Sequence, residues 1–254
     1  MAIGALLWHG LWVVLARHVA SLLDRVRSIL EQAIGRAYVA KSIGIIGGTG
    51  PEGKGLAARF AMAGFEVIIG SRSAERGAEA AKEVEAAGVK KVRGGANAEA
   101  AAKGDIVIIT LPYEGIHETL QPLESAIGEK VVVSTVAPLA FSPGRVGLLP
   151  TQRGSAAEDI QLLLPLAQVV AAFQNLAARK LMDLAKPLEG DVIVCSDHPT
   201  GVREVIDLAA MIPDIRGVNG GALYNSHYVE GITALLVSVN RIHRVEAAIR
   251  VVGV

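Results

Sequence analysis

The chain has 254 residues, 51% of them hydrophobic, and its 25 Lys and Arg balance 25 Asp and Glu to a formal net charge of zero. That length and apolar content suffice for a real core, which excludes a disordered tail, and the charge balance excludes the basic footprint of a nucleic-acid binder. Cys195 is the single cysteine, so no intrachain disulfide framework and no cysteine-rich metal or iron–sulfur site is expected; no metal is expected at all, and a reducing cytoplasm is the simplest home.

Residues 1–40 begin with an apolar run, Ala2 to Ala16, that contains His9 and meets Arg17 and His18. It falls short of the roughly 20 apolar residues of a membrane span, and it lacks the basic leader and cleavage pattern of a secretory signal. From Leu22 onward Leu23, Val26, Ile29, Leu30 and Ala33 recur at helical spacing between charged residues, the pattern of an amphipathic helix. Three readings stay open for this extension: a start assigned too far upstream, with Val39 as the translated start; a helix that docks on the protein or on a partner; or a membrane anchor.

Ile43 to Ile46 is an apolar run, and Gly48, Gly50 and Gly53 then satisfy G-x-G-x-x-G, with Thr49, Pro51 and Glu52 between them and a helical composition from Lys54 to Ala63. Strand, glycine turn and helix in that order form the fingerprint of a dinucleotide fold: the glycines allow the tight turn, the close approach of a pyrophosphate and the packing of helix on strand, while free N–H groups at the helix start face the anion. A second strand, Glu66 to Gly70, ends about 20 residues beyond the loop, where the adenosine ribose is met. An acidic residue there would repel a 2′-phosphate. This chain has Ser71 and Arg72, with Arg76 one turn later; a hydroxyl and guanidinium forks donate to a phosphate, so the cofactor expected is NADP(H), with Thr49 completing the shell.

Helices are expected over Ala74 to Ala87 and from Gly94 to Lys103, then a continuous β-branched strand from Asp105 to Thr110, as in a parallel sheet covered on both faces. Leu111, Pro112 and Tyr113 at its carboxyl end would lie over the cofactor. Helix Ile116 to Ile127, strand Lys130 to Ser134 and a loop at Ala137–Pro138 follow. Ser155 and Glu158 form a capping-box signature opening a helix toward Leu164. Strands are expected at Gln168 to Ala172 and Asp191 to Cys195, which makes Cys195 a buried core thiol. A long helical pattern from Leu223 to Ile249, with Val229, Ile232, Leu235, Leu236, Val239 and Ile242 on one stripe, would pack on the first domain or on a second subunit. The expected architecture is α/β: an extension (1–40), a Rossmann-type parallel sheet binding NADP (41–180) and a small C-terminal α/β to helical appendage (181–254).

Taken together, Gly47-Gly48-Thr49-Gly50 with Gly53-Lys54-Gly55-Leu56-Ala57, Ile69-Gly70-Ser71-Arg72, Thr110-Leu111-Pro112-Tyr113-Glu114, Ser155-Ala156-Ala157-Glu158, and Asn225-Ser226 with Val229-Glu230 and Thr233 resemble the NADPH-dependent reductases of coenzyme F420, an 8-hydroxy-5-deazaflavin. The match covers nearly everything after residue 40. The resemblance implies Thr49, Ser71, Arg72 and Arg76 around the 2′-phosphate, Leu111, Gly115, Ala137 and Ala177 beside the rest of NADP, and Pro138, Asn175 and Leu176 at the deazaflavin. Two positions depart from the pattern: Phe173 stands where some relatives carry histidine, and His227 where an arginine is expected, which leaves a capping or packing role for His227.

The reaction so implied is direct hydride transfer between nicotinamide C4 and deazaflavin C5. It needs the two rings aligned and no obligatory acid, base or other catalytic side chain. The expected partners are small-molecule coenzymes and further copies of the chain as a homodimer or larger homo-oligomer, with no nucleic acid and no membrane. Rival readings are a β-hydroxyacid dehydrogenase, opposed by the absence of any lysine after Lys186; a pyrroline-carboxylate reductase, whose loop lacks Gly70-Ser71-Arg72-Ser73; a ferric or flavin reductase; and a non-catalytic NADP(H) sensor.

Overall fold

In the computed structural model, which describes residues 41–254, β-branched runs with no polar face form a sheet covered on both sides. The expectations for residues 1–40 lie outside the described residues. The first half contains β1 (Ser42–Ile46), α1 (Pro51–Met62), β2 (Glu66–Ser71), α2 (Ala74–Ala86), β3 (Val92–Ala96), α3 (Asn97–Lys103) and β4 (Ile106–Ile109). It continues through α4 (Ile116–Leu120), α5 (Glu124–Ile127), β5 (Val131–Ser134), the hairpin β6 (Leu139–Ser142) and β7 (Arg145–Leu148), α6 (Ala156–Leu163) and β8 (Gln168–Ala171). The last part is α7 (Ala178–Leu181), β9 (Gly190–Cys195), α8 (Pro199–Ala210), β10 (Ile215–Gly221) and α9 (Ser226–His243).

The main sheet has the order β10-β9-β8-β5-β4-β1-β2-β3. Every pairing is parallel except β8 with β9, which meet antiparallel at Ala171 and Cys195. The chain direction thus reverses in the stretch around residue 180, and β9 and β10 extend the same sheet. The strand order reverses between β1 and β4, and the carboxyl ends there open the crevice in which a doubly wound sheet holds its ligand. Ile43, Ile45, Ile106, Ile108, Val132, Val133 and Val169 are fully enclosed; each such side chain contributes about 1.5–3 kcal/mol relative to exposure.

Several boundaries differ from the sequence expectation. Gly94 to Ala96 belong to β3 rather than to a helix, which starts only at Asn97. Two glycines make this possible: a Cβ on Gly94 would lie 2.0 Å from the Gly77 carbonyl oxygen, so α2 rides directly on the strand. The helix expected over Ile116 to Ile127 is broken into α4, a 3₁₀ turn at Gln121–Leu123 containing Pro122, and α5, because proline supplies no N–H for the helical ladder. The C-terminal helix stops at His243, where Arg244 turns left-handed (φ 54). The rest runs back along the sheet: Asp191 N donates to Ile249 O at 2.8 Å, and Arg216 donates to the Asp191 carboxylate and to the main-chain oxygens of Val251 and Val254. On α9, Val229 is buried while Leu235 and Ile242 are 62% and 74% exposed, so the apolar stripe is only partly used.

Candidate functional site

The glycine turn is built as its residues require. Gly48 N donates to Gly70 O at 2.9 Å, tying the loop to the end of β2. A Cβ on Gly53 would sit 2.5 Å from Gly48 Cα, so only glycine lets α1 start against β1. Gly50 is the N-cap of α1 with no side-chain cap, and Pro51 takes the first helical position. The amides of Glu52 and Gly53 therefore have no intrahelical acceptor. The space beside Gly50 is open, with nothing within 4 Å of a Cβ built there.

On one flank of this loop lies a cavity of about 440 Å³ whose walls include Thr49, Ser71, Arg72, Arg76, Leu111 and Gly115. Six residues singled out in the sequence are thus gathered at the carboxyl ends of β1, β2 and β4. Arg72 and Arg76 are exposed, and neither has an ion-pair partner among the described residues. Ser73 caps α2 by accepting from Arg76 N, which fixes the turn between the two guanidinium groups. Asn97 also lines this cavity, its Oδ1 accepting from Gly47 N at 3.0 Å. Sequence reasoning missed it; a polar residue at the exit of β3, had β3 been recognised, was the available signal.

On the other flank is a cavity of about 900 Å³ that collects Glu52, Asn175, Leu176 and Ala177 with the inner face of α9. Phe173 turns the chain into it. Its φ of 71° is unfavourable for a bulky residue and costs on the order of 1–3 kcal/mol, but its ring is fully buried, edge-on to Phe60 at 5.9 Å. Gln174 and Asn175 follow, only 5% and 3% exposed. Asn175 Nδ2 donates to Asp191 O at 2.8 Å, and Thr233 of α9 donates to Gln174 O at 3.1 Å. Both Gln174 amide atoms, Asn175 Oδ1 and Glu52 Oε1 are buried without a hydrogen-bond partner. Such orphans are rare in a folded protein, and all four belong to residues that line this cavity. Burial pushes the Glu52 carboxyl up to about 8, against a smaller pull from its hydrogen bond with Thr135. Gln174 was not anticipated; two consecutive amides directly after a buried strand were the signal.

Ala137 and Pro138 border neither cavity. They follow β5 at the same carboxyl edge, half-buried and buried, and Pro138 O accepts from Leu149 N, which anchors the hairpin. His227 is also outside both cavities; its Nδ1 donates to Tyr224 O at 2.6 Å and its ring packs on Tyr228 at 3.7 Å, the capping and packing role.

Two further groups hold the site in shape. Arg59 of α1, 5% exposed, donates to the carbonyls of Lys180, Leu181, Asp183 and Lys186 at 2.8–3.1 Å, clamping α7 and the loop after it. Near the hairpin, Tyr113 donates to Asp159 at 2.7 Å, and Glu230 accepts from the amides of Ala156 and Ala157 at the start of α6. Burial pushes Glu230 up to about 7, opposed by those two amides. Ser155 caps α6, and Glu158 binds the Ser155 hydroxyl. Cys195 is fully enclosed in the core, and burial pushes its thiol up to about 11, which makes it chemically inert. Among the described residues no group of three or more His, Cys, Asp or Glu could hold a metal ion, and no helix is long and apolar enough to cross a membrane.

The chain is similar to known proteins over most of the described residues. Residues 42–138 match the family model described as NADP oxidoreductase, coenzyme F420-dependent. The chain is 38% identical over 213 residues to the F420-dependent NADP reductase of Methanothermobacter thermautotrophicus, covering 81% of this chain and 92% of that one. It is 40% identical over 205 residues to the enzyme of the same name from Methanocaldococcus jannaschii, covering 78% and 92%. A crystal structure assigned as an F420-dependent NADP reductase, from Arthrobacter sp. FB24, superposes with a TM-score of 0.73 at 21% identity, covering 84% of this chain and all of the other; at that identity it supports the fold.

Proposed function

This chain belongs to the family of coenzyme F420-dependent NADP oxidoreductases, and from that premise we propose how its two cavities divide the work. The protein transfers a hydride between NADP(H) and the deazaflavin coenzyme F420. The observation that carries the reading is that the glycine loop separates two unlike chambers: one with two unpaired arginines, the other with four orphaned buried polar atoms.

The smaller chamber takes the adenosine end of NADP. Arg72 and Arg76 hold the 2′-phosphate with Ser71 and Thr49, because a guanidinium fork matches phosphate geometry. The pyrophosphate crosses the open face of Gly50, at the free amides of Glu52 and Gly53, where Gly48 and Pro51 shape the turn. Leu111 and Gly115 line the path, and Ala137 and Ala177 flank the nicotinamide. The larger chamber takes the deazaflavin against Asn175 and Leu176, with Pro138 outside it at the carboxyl edge of β5; Asn175 Oδ1 and the Gln174 amide, unpaired within the protein, suit a ring edge that offers both donors and acceptors. The two coenzymes supply the hydride chemistry, and the protein's part is alignment and exclusion of water.

The chain assembles as a homodimer or larger homo-oligomer, through the outward face of α9 with Leu235 and Ile242 beside the exposed Phe141 of the hairpin; light scattering of the purified protein reads this directly. The cytoplasm is its home, as an unpaired thiol suits a reducing compartment. The deciding assay for function follows the absorbance of oxidised F420 with NADPH, in parallel with riboflavin derivatives. Bleaching that requires NADPH and fades in Arg72→Ala is the expected result. Tight NADPH binding with no deazaflavin turnover overturns the assignment in favour of another acceptor or a sensor.

A further inference from the structure

Glu52 is the second residue of α1, immediately after the turn that faces the phosphates. Its carboxyl lies on the other side from the arginines: the neighbour that pulls its pKa down is Thr135, the residue after β5, and it shares the larger cavity with Gln174 and Asn175 after β8. A dinucleotide whose adenosine end rests at Ser71 and Arg72, beyond β2, must carry its second base across the glycine loop to the β4–β5 side. Glu52 lies where that base arrives. Its Oε1 has no partner in the protein and is sealed from solvent, so whatever charge it carries acts at short range in a medium of low polarity.

The nicotinamide ring is a cation when oxidised and neutral when reduced. A carboxylate beside it favours the oxidised ring, whereas a protonated carboxyl is nearly indifferent. We propose that Glu52 determines the relative affinity of this protein for NADP⁺ and NADPH: binding of NADP⁺ expels the Glu52 proton to solvent, and binding of NADPH leaves it in place. The only bond broken is the carboxyl O–H of Glu52, whose proton passes to solvent water or buffer, so one proton is released for one positive ring accepted. The inference rests on the NADP reading above and deepens it.

Burial and the opposing Thr135, not a charged neighbour, displace the Glu52 carboxyl. The elements packed against its carboxyl present Thr135, Gln174 and Asn175, none of which ionises. Lys54, on its own helix, is paired with Glu83. The charged groups elsewhere on the cavity wall are Arg179 and Lys180 of α7, Arg241 of α9, and Arg244 and Glu246 beyond it. The upward displacement of Glu52 arises from burial, with Thr135 opposing, so its ionisation falls within an accessible range of pH.

The test is calorimetric titration of the wild-type protein and of Glu52→Gln with NADP⁺ and, separately, NADPH, from pH 7 to pH 9, in two buffers of different ionisation enthalpy so that released protons are counted. For wild type at pH 7, NADP⁺ is expected to release close to one proton and NADPH none. Between pH 7 and pH 9 the Kd for NADP⁺ should tighten about tenfold relative to that for NADPH, the change expected for one group ionising near pH 8. In Glu52→Gln the two curves run parallel. Equal proton counts for the two nucleotides in wild type, or divergence retained in Glu52→Gln, overturns the inference while the NADP reading stands. Absence of binding by either nucleotide, with the protein folded, overturns both. The wild-type proton count decides the matter even if the variant fails to fold.

Discussion

The two chambers beside the glycine loop are built in opposite ways. The smaller one draws Thr49, Ser71, Arg72 and Arg76 from one stretch of chain, and its charged groups stand at the surface. The larger one draws Glu52 from α1, Gln174 and Asn175 from the turn after β8, and Thr233 from α9, and four polar atoms of the first three are buried and unpaired. The first therefore gains affinity from charge with little stake in the fold. The second is part of the core, and its unpaired groups weigh on the stability of the fold itself.

If this contrast holds, a substitution under the larger chamber should damage stability and one beside the smaller chamber should not. Arg59→Ala is the most severe case, because it strands four carbonyls around α7. A loss on the order of 1–3 kcal/mol for each carbonyl left buried and unpaired is expected by urea denaturation, with the KM for the deazaflavin rising more than that for NADPH; equal effects on both would dissolve the distinction. Arg72→Ala should weaken NADPH binding on the order of 1.5–3 kcal/mol, roughly 10- to 150-fold, with an unchanged denaturation midpoint and an unchanged KM for F420. A fluorescence titration showing unaltered NADPH affinity would remove Arg72 from the site.

Smaller effects sharpen the comparison. Glu230 is held up to about 7 by burial, above its ordinary carboxylate range. An acid whose folded pKa is raised keeps its proton after the unfolded chain has lost it, so stability is greatest below pH 4.5 and declines as pH climbs to about 7, by on the order of 1–3 kcal/mol. Denaturation midpoints across that window should show the decline in wild type and a flatter profile in Glu230→Gln. The smallest expected change is Asn97→Ala, which removes the bond to Gly47 N and should cost NADPH affinity about 0.5–1.5 kcal/mol; a larger loss in titration would mean that Asn97 touches the nucleotide itself.

The same contrast explains what could be read from the chain alone. The part of the smaller chamber formed by Thr49, Ser71, Arg72 and Arg76 was legible because these residues lie close in sequence and follow from local rules: glycines for the turn, a hydroxyl and guanidinium groups in place of an acid after β2. The helical cap at Ser155 and the buried thiol at Cys195 were legible for similar reasons. Arg59 was not, since an arginine in a helix ordinarily faces water and only the distant carbonyls of residues 180–186 give it a buried role. Nor was Gln174, whose position depends on the strained turn at Phe173. The strand β3 was hidden because Gly94 and Gly95 carry no strand propensity, and its formation is decided by contact with Gly77. The end of α9 at His243 was obscured by apolar residues that continue past it as an extended tail.

The enclosure of Cys195 has a practical side. With a single thiol in the whole chain, and that one sealed in the core, a cysteine introduced at Arg179 on the rim of the larger chamber would be the one group open to maleimide. A dye attached there would report the arrival of either coenzyme in real time, with no native thiol to remove first.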